Sequence, residues 1–184
     1  MAVKVNQRVM LTKRLLKDSL VDLLTVKDIY QVSIRELCDN AGVNRSTFYK
    51  YYGSQFDLLK EMEQDMIEHI TNTLENRWDD VSPETMIGIF EYLEDNIRLS
   101  RLLINNNVDP DFPDKLFRLQ PIQDGLVNIL KDQFEPCELE YVYTYFTCGC
   151  FNFIRKWINK DDRESAGQMT DILLKLLWKL KPVR

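Results

Sequence analysis

The stretch Val32-Ser33-Ile34-Arg35-Glu36-Leu37-Cys38-Asp39-Asn40-Ala41-Gly42-Val43-Asn44-Arg45-Ser46-Thr47-Phe48-Tyr49-Lys50-Tyr51-Tyr52 decides the fold. Ser33 stands three residues before Glu36, the spacing of a capping box, in which the hydroxyl accepts the third backbone N–H and the carboxylate reaches back. Gly42 suits the left-handed position that closes a helix. Asn44 offers a second N-cap and opens a helix through Arg45 to Tyr52. Gly53 ends that helix, and Ser54 caps the next, with Asp57 in its first turn. Two short helices joined by a tight Gly-containing turn form a helix-turn-helix. Leu37, Ala41, Val43 and Phe48 are expected to pack the pair together, leaving Arg45, Ser46, Tyr49 and Lys50 on the open face of the second helix. Arg and Lys can read guanine edges or meet phosphates, hydroxyls suit phosphate oxygens, and a helix fits the major groove.

Outward from this stretch the sequence reads as helix throughout. No Gly or Pro precedes Gly42, and none lies between Gly53 and Pro83. Leu11, Leu15, Leu16, Leu20, Leu23 and Leu24 predict an amphipathic helix near Gln7 to Leu24. Phe56, Leu59, Met62, Met66 and Ile70 predict a fourth helix running to about Trp78. Ser82-Pro83-Glu84 combines an N-cap with proline at the first helical position, and predicts a helix to about Leu103. Asn105 to Pro110 is a polar break. Pro121 and Pro136 separate two shorter helical stretches. Glu138 to Asn159 is long and aromatic. Tyr141 to Thr147 is strand-like by propensity, but a strand without a partner leaves its backbone unpaired, so helix is expected there too. The last helix, about Glu164 to Lys181, carries Met169, Ile172, Leu173, Leu176, Leu177 and Leu180 as a heptad-like stripe. The expected fold is all-α, with the helix-turn-helix near the N-terminus and further helices behind it. The domain division is expected at 1–54 and 55–184.

Composition limits the function classes. Hydrophobic residues make up 45% and charged residues 29% of the 184, values of a folded globular chain rather than a disordered one. No run of 18 apolar residues offers a membrane span, and Met1 to Arg8 lacks the apolar region of a secretory leader. Cys38, Cys137, Cys148 and Cys150 do not make a disulfide framework, so a cytoplasmic protein is expected. A single histidine, His69, excludes a two-histidine metal site. Cys148 and Cys150 lie two apart on a helix and point to different sides. Neither a Gly-rich phosphate loop nor a nucleophile elbow is present, so no catalysis, cofactor or metal is expected. Residues 1–60 hold ten Lys/Arg and six Asp/Glu, a net of +4, whereas residues 61–184 are net −9. A basic head on an acidic body suggests that the head alone meets a polyanion. The acidic cluster Glu61, Glu63, Asp65 and Glu68 reads as a solvated face. The rival reading is an all-helical interaction or enzyme module whose hairpin merely mimics the motif.

The run from Val32 to Leu37, the Ala41-Gly42-Val43 turn, Thr47-Phe48-Tyr49 and Leu58-Leu59 together resemble the TetR/AcrR family of bacterial transcriptional regulators. Asn44 to Tyr49 is similar to a branch common in low-GC Gram-positive bacteria. The resemblance covers about residues 8–60. It implies a three-helix DNA-binding head containing the helix-turn-helix, a fourth linker helix and a helical C-terminal body of about five or six helices, in a repressor bound to double-stranded DNA as a homodimer on a pseudo-palindromic operator, with the body binding a small-molecule effector. DNA contacts carry over to Ser33, Arg35, Arg45, Ser46, Thr47, Tyr49, Lys50 and Tyr51. The family usually has Gly where Ser46 stands and often a phosphate-binding Lys where Gln55 stands; Gln55 can hydrogen-bond a phosphate without adding charge. The resemblance also implies dimerisation through the last two long helices; the apolar stripe of the last helix and the aromatic face before it put that interface at Gly149, Phe153, Trp157, Met169, Leu173, Leu176, Leu177 and Leu180, with part of the stripe expected to pack inside its own subunit.

Overall fold

A computed structural model describes residues 2–75, 82–105, 108–130 and 134–178. Those residues form helices and turns only. The chain divides into two compact units, Met1–Met66 and Ile67–Arg184.

The first unit contains α1 (Ala2–Leu24), a single 3₁₀ turn (Ile29–Gln31), α2 (Ile34–Ala41), α3 (Arg45–Phe48) and the first part of α4 (Gln55–Glu75). The division between units falls inside α4. Leu16, Leu20, Val21 and Leu24 of α1 are buried, together with Leu37, Cys38 and Ala41 of α2, Phe48 of α3, and Leu58, Leu59 and Met62 of α4. This corrects the apolar face expected of α1. Leu11 and Leu15 remain 58% and 40% exposed, because the i, i+4, i+8 line through Leu16, Leu20 and Leu24 faces the core and the two upstream leucines lie beside it.

The punctuation read from the sequence forms physical caps. The Ser33 hydroxyl accepts from the Glu36 N–H at 3.2 Å, and Gly42 closes α2 at φ 63°. Ser54 and Asp57 cap reciprocally: the Ser54 hydroxyl accepts from the Asp57 N–H, and the Asp57 carboxylate accepts from the Gly53 N–H at 3.0 Å. Two caps differ from expectation. The Glu36 carboxylate pairs with Lys27 at 2.6 Å instead of reaching back to Ser33. Asn44 occupies the N-cap of α3, but its side chain makes no capping bond; its carbonyl accepts from Thr47 and Phe48. The α-helical part of the second motif helix is also short. Beyond Phe48 the chain tightens, with Lys50 N–H on the Thr47 carbonyl and Tyr51 N–H on the Phe48 carbonyl, the i+3 pattern common at helix ends.

The second unit contains α5 (Pro83–Asp95), α6 (Ile97–Ile104), α7 (Phe112–Phe117), α8 (Gln120–Leu130), α9 (Leu139–Ile158) and α10 (Ala166–Trp178). The single helix expected from Ser82 to Leu103 is two, broken at Asn96. There the Asn96 side-chain amide donates to the Tyr92 carbonyl at 2.9 Å, and Ser100 donates to the Leu93 carbonyl at 3.0 Å. The Tyr92 carbonyl keeps its helical bond from the Asn96 N–H at 3.1 Å, whereas the Ser100 hydroxyl takes the Leu93 carbonyl that a continuing helix would have used. Tyr141 to Thr147 is helical, as expected. The expected helix end at Trp78 lies outside the described residues. α10 packs along α5, and α9 packs against α6 and α8. Trp157 anchors this core: it is 1% exposed, meets Phe90 edge-on at 5.2 Å, and donates its indole N–H to the Glu164 carbonyl. Arg101 closes the end of α9 by donating to the Ile158 carbonyl at 2.7 Å.

Candidate nucleic-acid interface

The helix-turn-helix holds its second helix by Phe48. That ring is fully buried, with Tyr49 edge-on at 5.6 Å and Tyr52 tilted at 5.5 Å. Burying Phe48 turns Arg45, Ser46, Tyr49 and Lys50 outward, and all four are exposed. Thr47 and Tyr51 are half-buried. At α2, Ser33 and Arg35 are exposed, and among the described residues Arg35 makes a long pair with Asp39 at 3.6 Å. Arg45 and Lys50 form no ion pair among the described residues. Their charges stand available for phosphate or base edges.

Behind this surface lies a network that the sequence reading missed. Lys13 and Lys17, one turn apart on α1, meet Glu61 and Asp65, one turn apart on α4. Glu61 accepts from Lys13 at 2.8 Å, from Lys17 at 2.7 Å and from the Tyr52 hydroxyl at 3.1 Å. Lys17 also pairs with Asp65, and the Lys13 ammonium lies 5.9 Å and 5.5 Å from the ring centres of Tyr51 and Tyr52. Burial disfavours the Glu61 charge, but hydrogen bonds from both lysines outweigh it and hold the carboxyl below its ordinary pKa. Burial and the Glu61 charge push the Tyr52 phenol up. The expectation of a solvated acidic face is therefore corrected: Glu63 is buried, Glu61 is half-buried, and Glu61 and Asp65 hold lysines. The i, i+4 match of two lysines to two carboxylates was a usable signal, but only once α1 and α4 are known to be neighbours.

Gln55 is half-buried and donates to the Ile29 carbonyl at 3.4 Å, tying the 3₁₀ turn to the start of α4. Beside it Tyr30 is 81% exposed, its ring 5.3 Å from Phe56. Tyr30 was not singled out by sequence and lies in the turn that leads into α2.

The interface expected on the last two helices separates into two groups. Trp157, Met169 and Leu173 are buried inside their own unit, which removes them from any surface. Gly149 and Leu176 are exposed, while Phe153 and Leu177 are half-buried. Leu180 lies outside the described residues. Tyr141 and Tyr145, 77% and 75% exposed, extend the stripe of Gly149 toward the start of α9. A Cβ added at Gly149 would meet nothing within 4 Å, so its small size serves no close packing inside the chain. No helix of the described residues is long and apolar enough to cross a membrane.

Residues 18–62 match the family model described as bacterial regulatory proteins, tetR family, and residues 80–179 match a model for a transcriptional regulator C-terminal region of the same type. An uncharacterized HTH-type transcriptional regulator of Bacillus subtilis, YxbF, is 20% identical over 171 residues, covering 89% of this chain; the chain spans 43% of that relative's length. Among solved structures, a TetR transcriptional regulator from Streptococcus agalactiae is similar over 96% of this chain and 99% of its own, with 22% identity and a TM-score of 0.64. The fatty acid degradation regulator FadR from Bacillus halodurans is similar over 93% of this chain and 99% of its own, with 15% identity and a TM-score of 0.67. These likenesses carry the fold.

Proposed function

This chain belongs to the TetR family of bacterial transcriptional regulators, and from that premise we propose that it represses transcription as a homodimer whose two heads bind a pseudo-palindromic operator. The observation that carries the reading is the open surface of Arg45, Ser46, Tyr49 and Lys50, raised by the buried Phe48. The segment enters the major groove. Arg45 reads a base edge, Lys50 and Tyr49 meet phosphates, and Ser33 and Arg35 hold the backbone from the start of α2. Thr47 and Tyr51 line the edge of the contact, and Gln55 positions the 3₁₀ turn instead of adding charge.

A single head spans too few base pairs for useful selectivity. Two heads about one helical turn apart on the duplex gain from effective concentration. The exposed stripe of Tyr141, Tyr145, Gly149 and Leu176 supports pairing through α9 and α10 into a four-helix bundle with a two-fold mate. An effector held in the body would then shift the population toward a head spacing that mismatches the operator.

Fluorescence anisotropy with a labelled duplex tests the contact assignment. Arg45→Ala is expected to weaken operator binding by about 1–3 kcal/mol and relax one base position, whereas Lys50→Ala weakens all sequences alike and lowers the salt slope by about one. Wild-type behaviour of both variants on operator and random DNA would remove the recognition segment from the interface.

A further inference from the structure

The C-terminal unit lines a partly open cavity of about 140 Å³ between α4, α5 and the helices from α6 to α10. Its walls include Phe90, Phe117, Leu126 and Phe151, and among the described residues its polar side chains are Thr147 and Cys150. We propose that this cavity binds a small neutral lipophilic molecule, a single aromatic ring or a compact hydrocarbon of that size. The inference rests on the reading of the C-terminal unit as an effector-binding body and names the chemistry of what it takes.

Two observations carry the class. The first is the lining. The Thr147 hydroxyl already donates within α9, to the Tyr143 carbonyl at 3.0 Å or the Thr144 carbonyl at 3.2 Å. It keeps no donor for a ligand. Burial raises the Cys150 thiol to about pKa 11, so it stays neutral near pH 7 and is a poor nucleophile and a weak donor. No Lys, Arg, Asp, Glu or His belongs to the described lining. A carboxylate, ammonium or phosphate drawn inside would lose its water with no countercharge to replace it. A neutral ring loses no hydrogen bonds and gains dispersion contacts from every wall. The second observation is the size. An apolar cavity of about 150 Å³ is large enough to accept benzene, and this cavity has nearly that volume with walls made mostly of Leu, Ile and Phe.

Cys150 supplies a built-in reporter, because it lines the cavity while Cys137 and Cys148 are exposed. The experiment uses full-length Cys137→Ser/Cys148→Ser protein and follows alkylation of Cys150 by N-ethylmaleimide, read by mass spectrometry of the Cys150 peptide. Toluene is the neutral probe and benzoate its charged counterpart of similar size. Toluene is expected to slow Cys150 alkylation at least fivefold and to raise the thermal midpoint, while benzoate does neither. Ile154→Phe, which fills the cavity from its α9 wall, is expected to abolish both toluene effects; should that variant fail to fold, the alkylation comparison decides by itself. Unchanged alkylation with toluene, or equal protection by benzoate, would overturn the proposal. Release of operator DNA is measured separately. Protection of Cys150 by toluene without release of DNA upholds the cavity assignment and contradicts only the effector role.

Discussion

Gly42 is the residue on which the turn of the helix-turn-helix depends. Its φ of 63° lies in the left-handed region, and an added Cβ would meet nothing within 4 Å. Any cost of replacing it is therefore conformational rather than steric crowding. Gly42→Ala is expected to destabilise the head by about 1–2 kcal/mol, with Gly42→Asn losing less because Asn tolerates this region better. Urea unfolding of both variants checks the order. Residues of this kind were legible in the sequence because their physics is local: Ser33, Gly42, Ser54 and Ser82 each act within four residues of themselves. Asn44 shows the limit of that logic, since its position was legible but its side chain is not the group that caps. Gln55 shows another, because its partner Ile29 lies 26 positions upstream and nothing near Gln55 announces it.

At the scale of elements, α1 and α4 are clasped behind the recognition segment by Glu61. Three donors converge on one carboxylate, so removing its charge leaves Lys13 and Lys17 with one positive charge more than their partners cancel. Glu61→Gln is expected to tighten binding to random duplex, steepen its salt slope by about one, and weaken discrimination of the operator as Tyr52 loses its anionic acceptor. Anisotropy titrations over a range of salt measure all three. The pH dependence follows from the lowered pKa. A carboxyl whose folded pKa lies below its unfolded value, near 4.3 for an ordinary Glu, contributes stability that is complete above that value. The contribution is lost as pH falls through the folded pKa. Thermal midpoints between neutral pH and pH 3 should therefore fall less steeply in Glu61→Gln than in wild type. Helix identity was legible from periodicity, including the aromatic stretch of α9. The break at Asn96 was not, because a hydroxyl that takes the Leu93 carbonyl from seven residues away leaves no mark on apolar spacing. Leu11 and Leu15 fit the helical period of α1 but not the width of the face that its neighbours cover.

For the whole molecule, the charge split between head and body was legible by counting, but which cations stay available was not. Lys13, Lys17 and Lys27 are engaged in close pairs inside the head, while Arg45 and Lys50 are exposed at the recognition segment. Dimerisation belongs to this scale as well. Leu176→Glu/Leu177→Glu is expected to yield monomer or unfolded chain and to depress operator binding, although the head is untouched. Static light scattering of wild type at micromolar concentration should give twice 21.9 kDa; the monomer mass with operator binding intact would contradict the pairing of heads. The central claim, that the Arg45–Lys50 segment reads DNA, is tested most directly by selecting bound sequences from a random duplex pool with wild type and with Arg45→Ala/Lys50→Ala in parallel. Wild type should enrich an inverted repeat with half-sites about one helical turn apart, and the variant should enrich it weakly or not at all. A wild-type pool that stays random, or a variant that enriches the same repeat equally well, would contradict it.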